Sequence, residues 1–419
     1  MKVLVVMYDL AIGGSTVTAI DFAAAVRDER GWDLTLLASP GPLESHVRQV
    51  DLPLRLGPPG GCGIRPASAR AIHDACVAVG PDLVHAWDWK SIYTAYFVAG
   101  VGQRIPLFAS ITAIAAPPLL PAGMPVSFMT TDLAAADRAR RPGGSYVQAA
   151  PIDVDGDRPG AAGVDPACFA RAHDLAPETC HIVIVSRLAR ALKGEGIQRC
   201  IDVMARLAAS GPVDLTIVGD GELWADFTAQ ADRVNRAVGR PVVRLVGALS
   251  DPRAAYAAAD VVVGMGTSAG RALAFATPTV VIGERGFVRT VTPDTADALR
   301  DADFYGLGDG DPENRELESA LRALVEDPTA RARLGEFGRC YAVEHLSVRT
   351  LGHELGDWYL DAVTRPIPRR ARWLAAATVQ GSRLAAEHGL RRSLPAPVRR
   401  RVRALLRPPA YQQPVSSSA

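Results

Sequence analysis

The most suggestive chemistry in the chain is a pair of cations six residues apart. Ser186-Arg187-Leu188 follows the apolar run Ile182–Val185, and Lys193-Gly194 comes just after it. Such a run reads as a buried strand, which places both cations at its carboxyl end. A guanidinium offers a rigid fork of donors and an ammonium a mobile point charge. Together they suit a diphosphate that departs with negative charge. Either cation alone could be a solvated surface group; the pair at one strand end is the more specific signal.

Glycine-rich segments follow other apolar runs. Gly13-Gly14-Ser15 comes after Val3–Met7. It is either a tight turn or a place where backbone amides at a helix start face an anion. Gly219-Asp220-Gly221 follows Leu215–Val218, and Gly247 closes Val242–Val246. These are either plain turns or loops whose backbone could receive a nucleotide base. Gly264-Met265-Gly266-Thr267-Ser268-Ala269-Gly270 follows Asp260–Val263 and opens a helix, so Gly266, Thr267 and Ser268 could bind an anion through amides and hydroxyls. The same segment supports another chemistry. Gly264-x-Gly266-x-x-Ala269 fits a relaxed dinucleotide fingerprint, and Glu284 stands twenty residues beyond Gly264, where a ribose-binding acid is expected. That alternative is an NAD(P)-dependent oxidoreductase. Against it, the fingerprint normally follows the first strand of its sheet, and here it follows the fourth.

The elements that must position these residues alternate strand and helix. The first series places strands at Val3–Met7, Leu34–Ala38, Leu83–Ala86, Leu107–Thr112 and Ser127–Met129, with helices at Thr16–Arg30, Ala67–Val79 and Ile92–Val98 between them. The Asp-, Gly- and Pro-rich stretch Ala149–Pro166 reads as an interdomain linker. A second series then starts afresh with Ile182–Val185. Its first helix, Gly196–Ala209, carries Ile197, Ile201, Met204 and Ala208 at helical spacing. Two doubly wound α/β sheets are expected, with ligands beyond the carboxyl ends of their strands, in the cleft between two domains. After Phe304 the chain reads as helical over Glu316–Leu324, Ala330–Gly338 and Val348–Val363.

The 419 residues suit two domains, and 48% hydrophobic with 22% charged residues excludes a disordered chain. Formal net charge is +1, so nothing steers the whole molecule toward nucleic acid or anionic lipid. The charge is uneven: residues 365–419 hold twelve Arg and a single acid, Glu387. Within this tail Val398, Val402, Leu405 and Leu406 share a helical face flanked by arginines. Such a segment suits an anionic membrane surface or is a solvated extension. Its arginines are not interleaved with aromatics, which argues against nucleic acid. Six scattered cysteines without CxxC spacing argue against a disulfide framework or zinc knuckle. A cytoplasmic protein, peripheral to the membrane through its tail, is expected.

In their order, VLVVMYDLAIGGS, PDLVHAWDW, VSRLARALKG, LTIVGDGEL, VRLVGALSD, YAAADVVVGMG and ALAFATPTVV resemble the GT-B-fold, family 4 retaining glycosyltransferases, over residues 1 to about 360. The resemblance implies two Rossmann-like domains: residues 1–165 on the acceptor side and 166–345 binding the nucleotide sugar. A closing helix at 346–364 and the basic tail at 365–419 would follow. It implies a nucleotide-diphosphate sugar as substrate, a glycan or lipid-linked acceptor, and no separate cofactor or metal. Arg187 and Lys193 would hold the diphosphate, with Gly14 beneath it. Gly219, Gly247, Ala248 and Leu249 would lie near the base, and the helix at Thr267 would cap the phosphates. The chain also departs from the family. Of two Glu residues usual in the last region, one falls on Arg271 and the loop for the other is shorter, leaving Glu284 as a substitute at the ribose. The usual His after the strand Leu107–Thr112 is missing. His85 is the conspicuous histidine of the first half, either packed in the core or facing the acceptor. The missing carboxylates also admit a degenerate, non-catalytic GT-B module.

Overall fold

The computed structural model describes residues 1–112, 120, 121, 124–138 and 144–365. Past Arg365, the tail expected to be basic and amphipathic lies outside the described residues. So does most of the loop after Thr112. The chain forms two units, Met1–Gln148 joined by residues 349–365, and Ala149–Val348.

Unit 1 is built on seven parallel strands: β1 (Lys2–Asp9), β2 (Asp33–Ser39), β3 (Leu54–Leu56), β4 (Leu83–Trp87), β5 (Leu107–Ile111), β6 (Val126–Phe128) and β7 (Ser145–Val147). Their order is β3-β2-β1-β4-β5-β6-β7. The central strands are apolar because helices cover both faces: Val3, Leu4, Val6, Leu83 and Val84 are fully buried. Gly14–Arg30 follows β1 and ends where Gly31 turns left-handed and donates its N–H to the Arg27 carbonyl. The C-terminal helix Val348–Thr364 packs onto this unit where Gly352 meets Ala25; a Cβ on Gly352 would lie 2.5 Å from that of Ala25.

Unit 2 has six strands: β8 (Cys180–Val185), β9 (Val213–Val218), β10 (Val243–Gly247), β11 (Val261–Gly264), β12 (Thr279–Ile282) and β13 (Val288–Thr290). The order is β10-β9-β8-β11-β12-β13, parallel except for the final, antiparallel pair. The helix Glu195–Ala208 buries Ile197, Cys200, Ile201, Met204 and Leu207, one stripe at helical spacing, against this sheet.

The expected linker is not a free connection. Within unit 2, Ile152 is 2% exposed and bridges in register to Ser347, and Asp157 forms a bidentate ion pair with Arg271 at 2.8 Å for both bonds. Its turn-rich composition describes its irregular path; its contacts hold it to the unit that follows.

Candidate functional site

Strand order decides where chemistry can gather. In unit 2 the sequence runs outward from β8 in one direction through β9 and β10, then restarts on its other side at β11. Chains leave β8 and β11 toward opposite faces of the sheet, which opens a crevice between their carboxyl ends. A small hollow of about 10 Å³ lies there, lined by residues that include Val185, Ser186, Lys193, Gly264, Met265 and Ser268.

Arg187 is exposed two residues beyond β8, and Lys193 is half-buried in a kinked turn, Arg190–Gly194, before the next helix. The kink arises at Ala191 (φ −72°, ψ 131°) and Leu192 (φ 69°, ψ −37°), which leave the helical region and turn Lys193 back to the hollow. Arg187 lies near enough for its charge to act weakly on Lys193. Burial pushes the Lys193 ammonium down to about 8; the Asp303 carboxylate opposes this, and the Arg187 charge adds a smaller push downward. Among the described residues, neither cation forms a hydrogen bond or an ion pair. A partly desolvated ammonium without a bonded partner is costly in the empty protein and favourable beside an anion.

The glycines at this edge have a packing reason. Gly219 (φ 148°) approaches β8 so closely that a Cβ would lie 1.8 Å from the Ser186 carbonyl oxygen, and at Gly221 (φ 155°) one would lie 2.7 Å from that of Leu188. The Gly219 N–H donates to the Gly247 carbonyl at 2.8 Å and Leu188 N–H to Asp220 O at 2.9 Å, lacing the three loops together. Gly247 itself borders open space, Ala248 is exposed, and Leu249 is half-buried against the cluster around Tyr256.

At the end of β11, Gly266 (φ 58°) starts the helix Thr267–Ala274, and no side chain caps it. Thr267 is exposed. Ser268 is committed inward, donating to the Val185 carbonyl at 2.9 Å and accepting from Tyr256 Oη at 3.0 Å, which ties this helix to the end of β8. Glu284 is half-buried beyond β12, and its carboxylate accepts a 2.5 Å bond from Tyr305 Oη. Arg271 is held by Asp157 and lies 5.5 Å from the Tyr256 ring centroid.

Asp303 was missed by sequence reasoning. Burial pushes its carboxyl up to about 7, with Lys193 as the opposing influence. It follows the short helix Ala296–Asp301 and, like Phe304, has a positive φ (53° and 48°). The Gly266 N–H donates to the Phe304 carbonyl at 3.2 Å, fixing this turn beside the start of the Thr267 helix.

In unit 1 the direction of winding reverses between β1 and β4. Gly13 and Gly14 sit beyond β1 with nothing within 4 Å of an added Cβ, so packing does not demand glycine there. Asp88, just past β4 at φ 64° and ψ 152°, accepts bonds from Ser15 Oγ at 2.6 Å and Thr112 Oγ1 at 2.8 Å. His85 requires a correction as an acceptor-side residue. It is 1% exposed in the middle of β4, with Nδ1 2.6 Å from Tyr359 Oη and Nε2 2.9 Å from Ser110 Oγ. Burial lowers its pKa to about 3, so it is a neutral core histidine with both ring nitrogens occupied. The bonding partner Tyr359 lies 274 residues away in sequence, which is why no local signal revealed it.

Among the described residues no helix is long and apolar enough to cross a membrane, and no group of three or more His, Cys, Asp or Glu could hold a metal ion. Residues 179–327 match the family model described as Glycosyl transferases group 1. No curated protein sequence matches the chain. Among solved structures, HepE from Anabaena, in complex with UDP and glucose, is 18% identical at a TM-score of 0.61, covering 85% of this chain and 98% of that one. A glycosyltransferase from Rickettsia africae is 11% identical with a TM-score of 0.66, covering 87% and 99% of the two chains. WaaG, a glycosyltransferase involved in lipopolysaccharide biosynthesis, is 15% identical with a TM-score of 0.57, covering 85% and 98%. The two doubly wound sheets and the likeness to these structures give this chain the GT-B fold, and residues 179–327 are similar to the Glycosyl transferases group 1 domain.

Proposed function

We propose that the protein moves a sugar from a nucleotide-diphosphate sugar to an acceptor hydroxyl with retention, in the synthesis of a cell-surface polysaccharide or glycolipid. The observation that carries this is the pair of unpaired cations, Arg187 and Lys193, at the crevice beside β8 and β11. In this reading the diphosphate lies against them and the first turn of the Thr267 helix. The acceptor hydroxyl attacks the anomeric carbon on the face from which the diphosphate leaves. The carbon–oxygen bond to phosphate breaks, the new glycosidic bond forms, and the hydroxyl proton passes to the departing phosphate oxygen. The protein's work is orientation and stabilisation of leaving-group charge. No separate cofactor is required.

The cell-surface assignment draws on WaaG's involvement in lipopolysaccharide biosynthesis and on HepE's complex with UDP and glucose. The arginine-rich composition of residues 365–419 supports contact with an anionic membrane surface at the cytoplasmic face, close to a lipid-linked acceptor. Thermal unfolding with UDP, GDP and NAD tests the reading. A stabilisation by UDP or GDP supports it. Stabilisation by NAD alone would support the oxidoreductase, and no stabilisation by any of the three the non-catalytic module.

A further inference from the structure

Acidic side chains around the carboxyl edge of the second sheet are nearly all engaged within the protein. Glu195 accepts the N–H groups of Arg285 and Gly286 at 2.9 and 2.7 Å. Asp220 accepts the Gly221 N–H at 2.7 Å and Glu222 the Arg190 N–H at 2.6 Å. Glu284 is held by Tyr305. Asp303 differs. Its carboxylate forms no hydrogen bond and no ion pair among the described residues, although it is half-buried and Lys193 is the charge that acts on it. An added Cβ at Gly266 would come within 4.0 Å of Asp303 Oδ2, so the carboxylate borders the start of the helix after β11.

We propose that Asp303 is the residue that positions the donor sugar, accepting hydrogen bonds from its hydroxyls while Arg187 and Lys193 hold the diphosphate. This rests on the donor-site reading given above and extends it to the sugar. The geometry has a clear division of labour. The cations satisfy an anion, and a carboxylate next to them would repel the phosphates if it faced them directly. A neutral hydroxyl donor satisfies the carboxylate without competing for the cations. The left-handed conformation at Asp303 and Phe304 is unfavourable for residues with side chains, and the Gly266 N–H bond to Phe304 holds it in place. The neighbouring carboxylates cannot take this part without giving up existing bonds.

The test compares Asp303→Ala and Asp303→Asn with the wild-type chain by calorimetric titration of three pairs: UDP and UDP-glucose, GDP and GDP-mannose, ADP and ADP-glucose. For the pair that wild type binds, Asp303→Ala is expected to leave the nucleoside diphosphate within about threefold. It should weaken the nucleotide sugar by roughly tenfold, the size of one lost charge-assisted bond. Asp303→Asn, which keeps one acceptor, should fall between, and it carries the comparison if the alanine variant does not fold. Equal weakening of both ligands would make Asp303 a support for Lys193 alone and overturn the proposal; so would no change in either. Absence of binding of all six ligands to wild type would instead overturn the donor-site reading, and this assignment with it, before any variant is compared.

Discussion

Replacing Lys193 by Met should make the empty protein more stable and its ligand binding worse. The half-buried ammonium is pushed from 10.5 to about 8, which corresponds to about 3 kcal/mol against the charged form at neutral pH. Because the unfolded chain holds this proton more tightly, the penalty is complete below pH 8 and fades as pH rises from about 8 through 10.5. Met keeps the length of the stem and removes the charge. Asp303, already near 7 with Lys193 beside it, then protonates more readily and adds little cost of its own. The gain should be up to about 3 kcal/mol at pH 7, roughly half of that at pH 9.5, and nothing near pH 11. In a unit of this size that is a rise of several degrees in Tm. The same variant should bind a nucleoside diphosphate on the order of a hundredfold more weakly, since a charged donor is lost. Urea unfolding at the three pH values and calorimetry with UDP or GDP measure both effects. A variant that is less stable than wild type at pH 7 and binds equally well would refute the reasoning, because Lys193 would then be holding its own loop together.

Other sites give independent expectations. The His85 imidazole, lowered from 6.5 to about 3 by burial, stays neutral in the fold while the unfolded chain takes up a proton. Its share of stability therefore falls by up to about 1.4 kcal/mol per pH unit between 6.5 and 3, and His85→Gln should flatten that slope by one proton in denaturant titrations. His46 is the opposite case: its bond to Asp21 at 2.8 Å raises its pKa. That pair contributes fully below pH 6.5 and is lost as pH climbs through the raised value, so His46→Ala should remove a pH-dependent gain seen on going from pH 8 to pH 6. Arg271→Ala leaves Asp157, 7% exposed, without its partner and should cost about 3 kcal/mol. Adding Asp157→Asn should restore part of that in urea unfolding.

Much of the alternation was legible because each central strand is a nearly continuous apolar run. Thr279–Ile282 was placed at its observed limits, and the helix Glu195–Ala208 within one residue at each end. What escaped has a common cause. The strand Leu54–Leu56 is an exposed edge with Arg55 at its centre, and Val288–Thr290 is a three-residue antiparallel edge. Neither carries a burial pattern of its own. The Ala149–Pro166 stretch announced turns, and only its contacts with Ser347 and Arg271 show that it is packed. The place of Arg187 and Lys193 just past the carboxyl end of β8 follows from the apolar run before them. Glu284 stood at a suggestive distance, yet Tyr305, 21 residues on, has claimed its carboxylate. Asp303 lay unmarked in the acidic stretch DALRDADF. A backbone turn that brings it toward Lys193, 110 residues earlier in the chain, is a tertiary fact with no local periodicity.

The most direct test of the central claim is a crystal structure of the chain soaked with the nucleoside diphosphate that stabilises it best. Phosphate oxygens are expected about 3 Å from Lys193 Nζ and from the Arg187 guanidinium, beside the first turn of the Thr267 helix. A nucleotide seated with its phosphates away from both cations would contradict the claim.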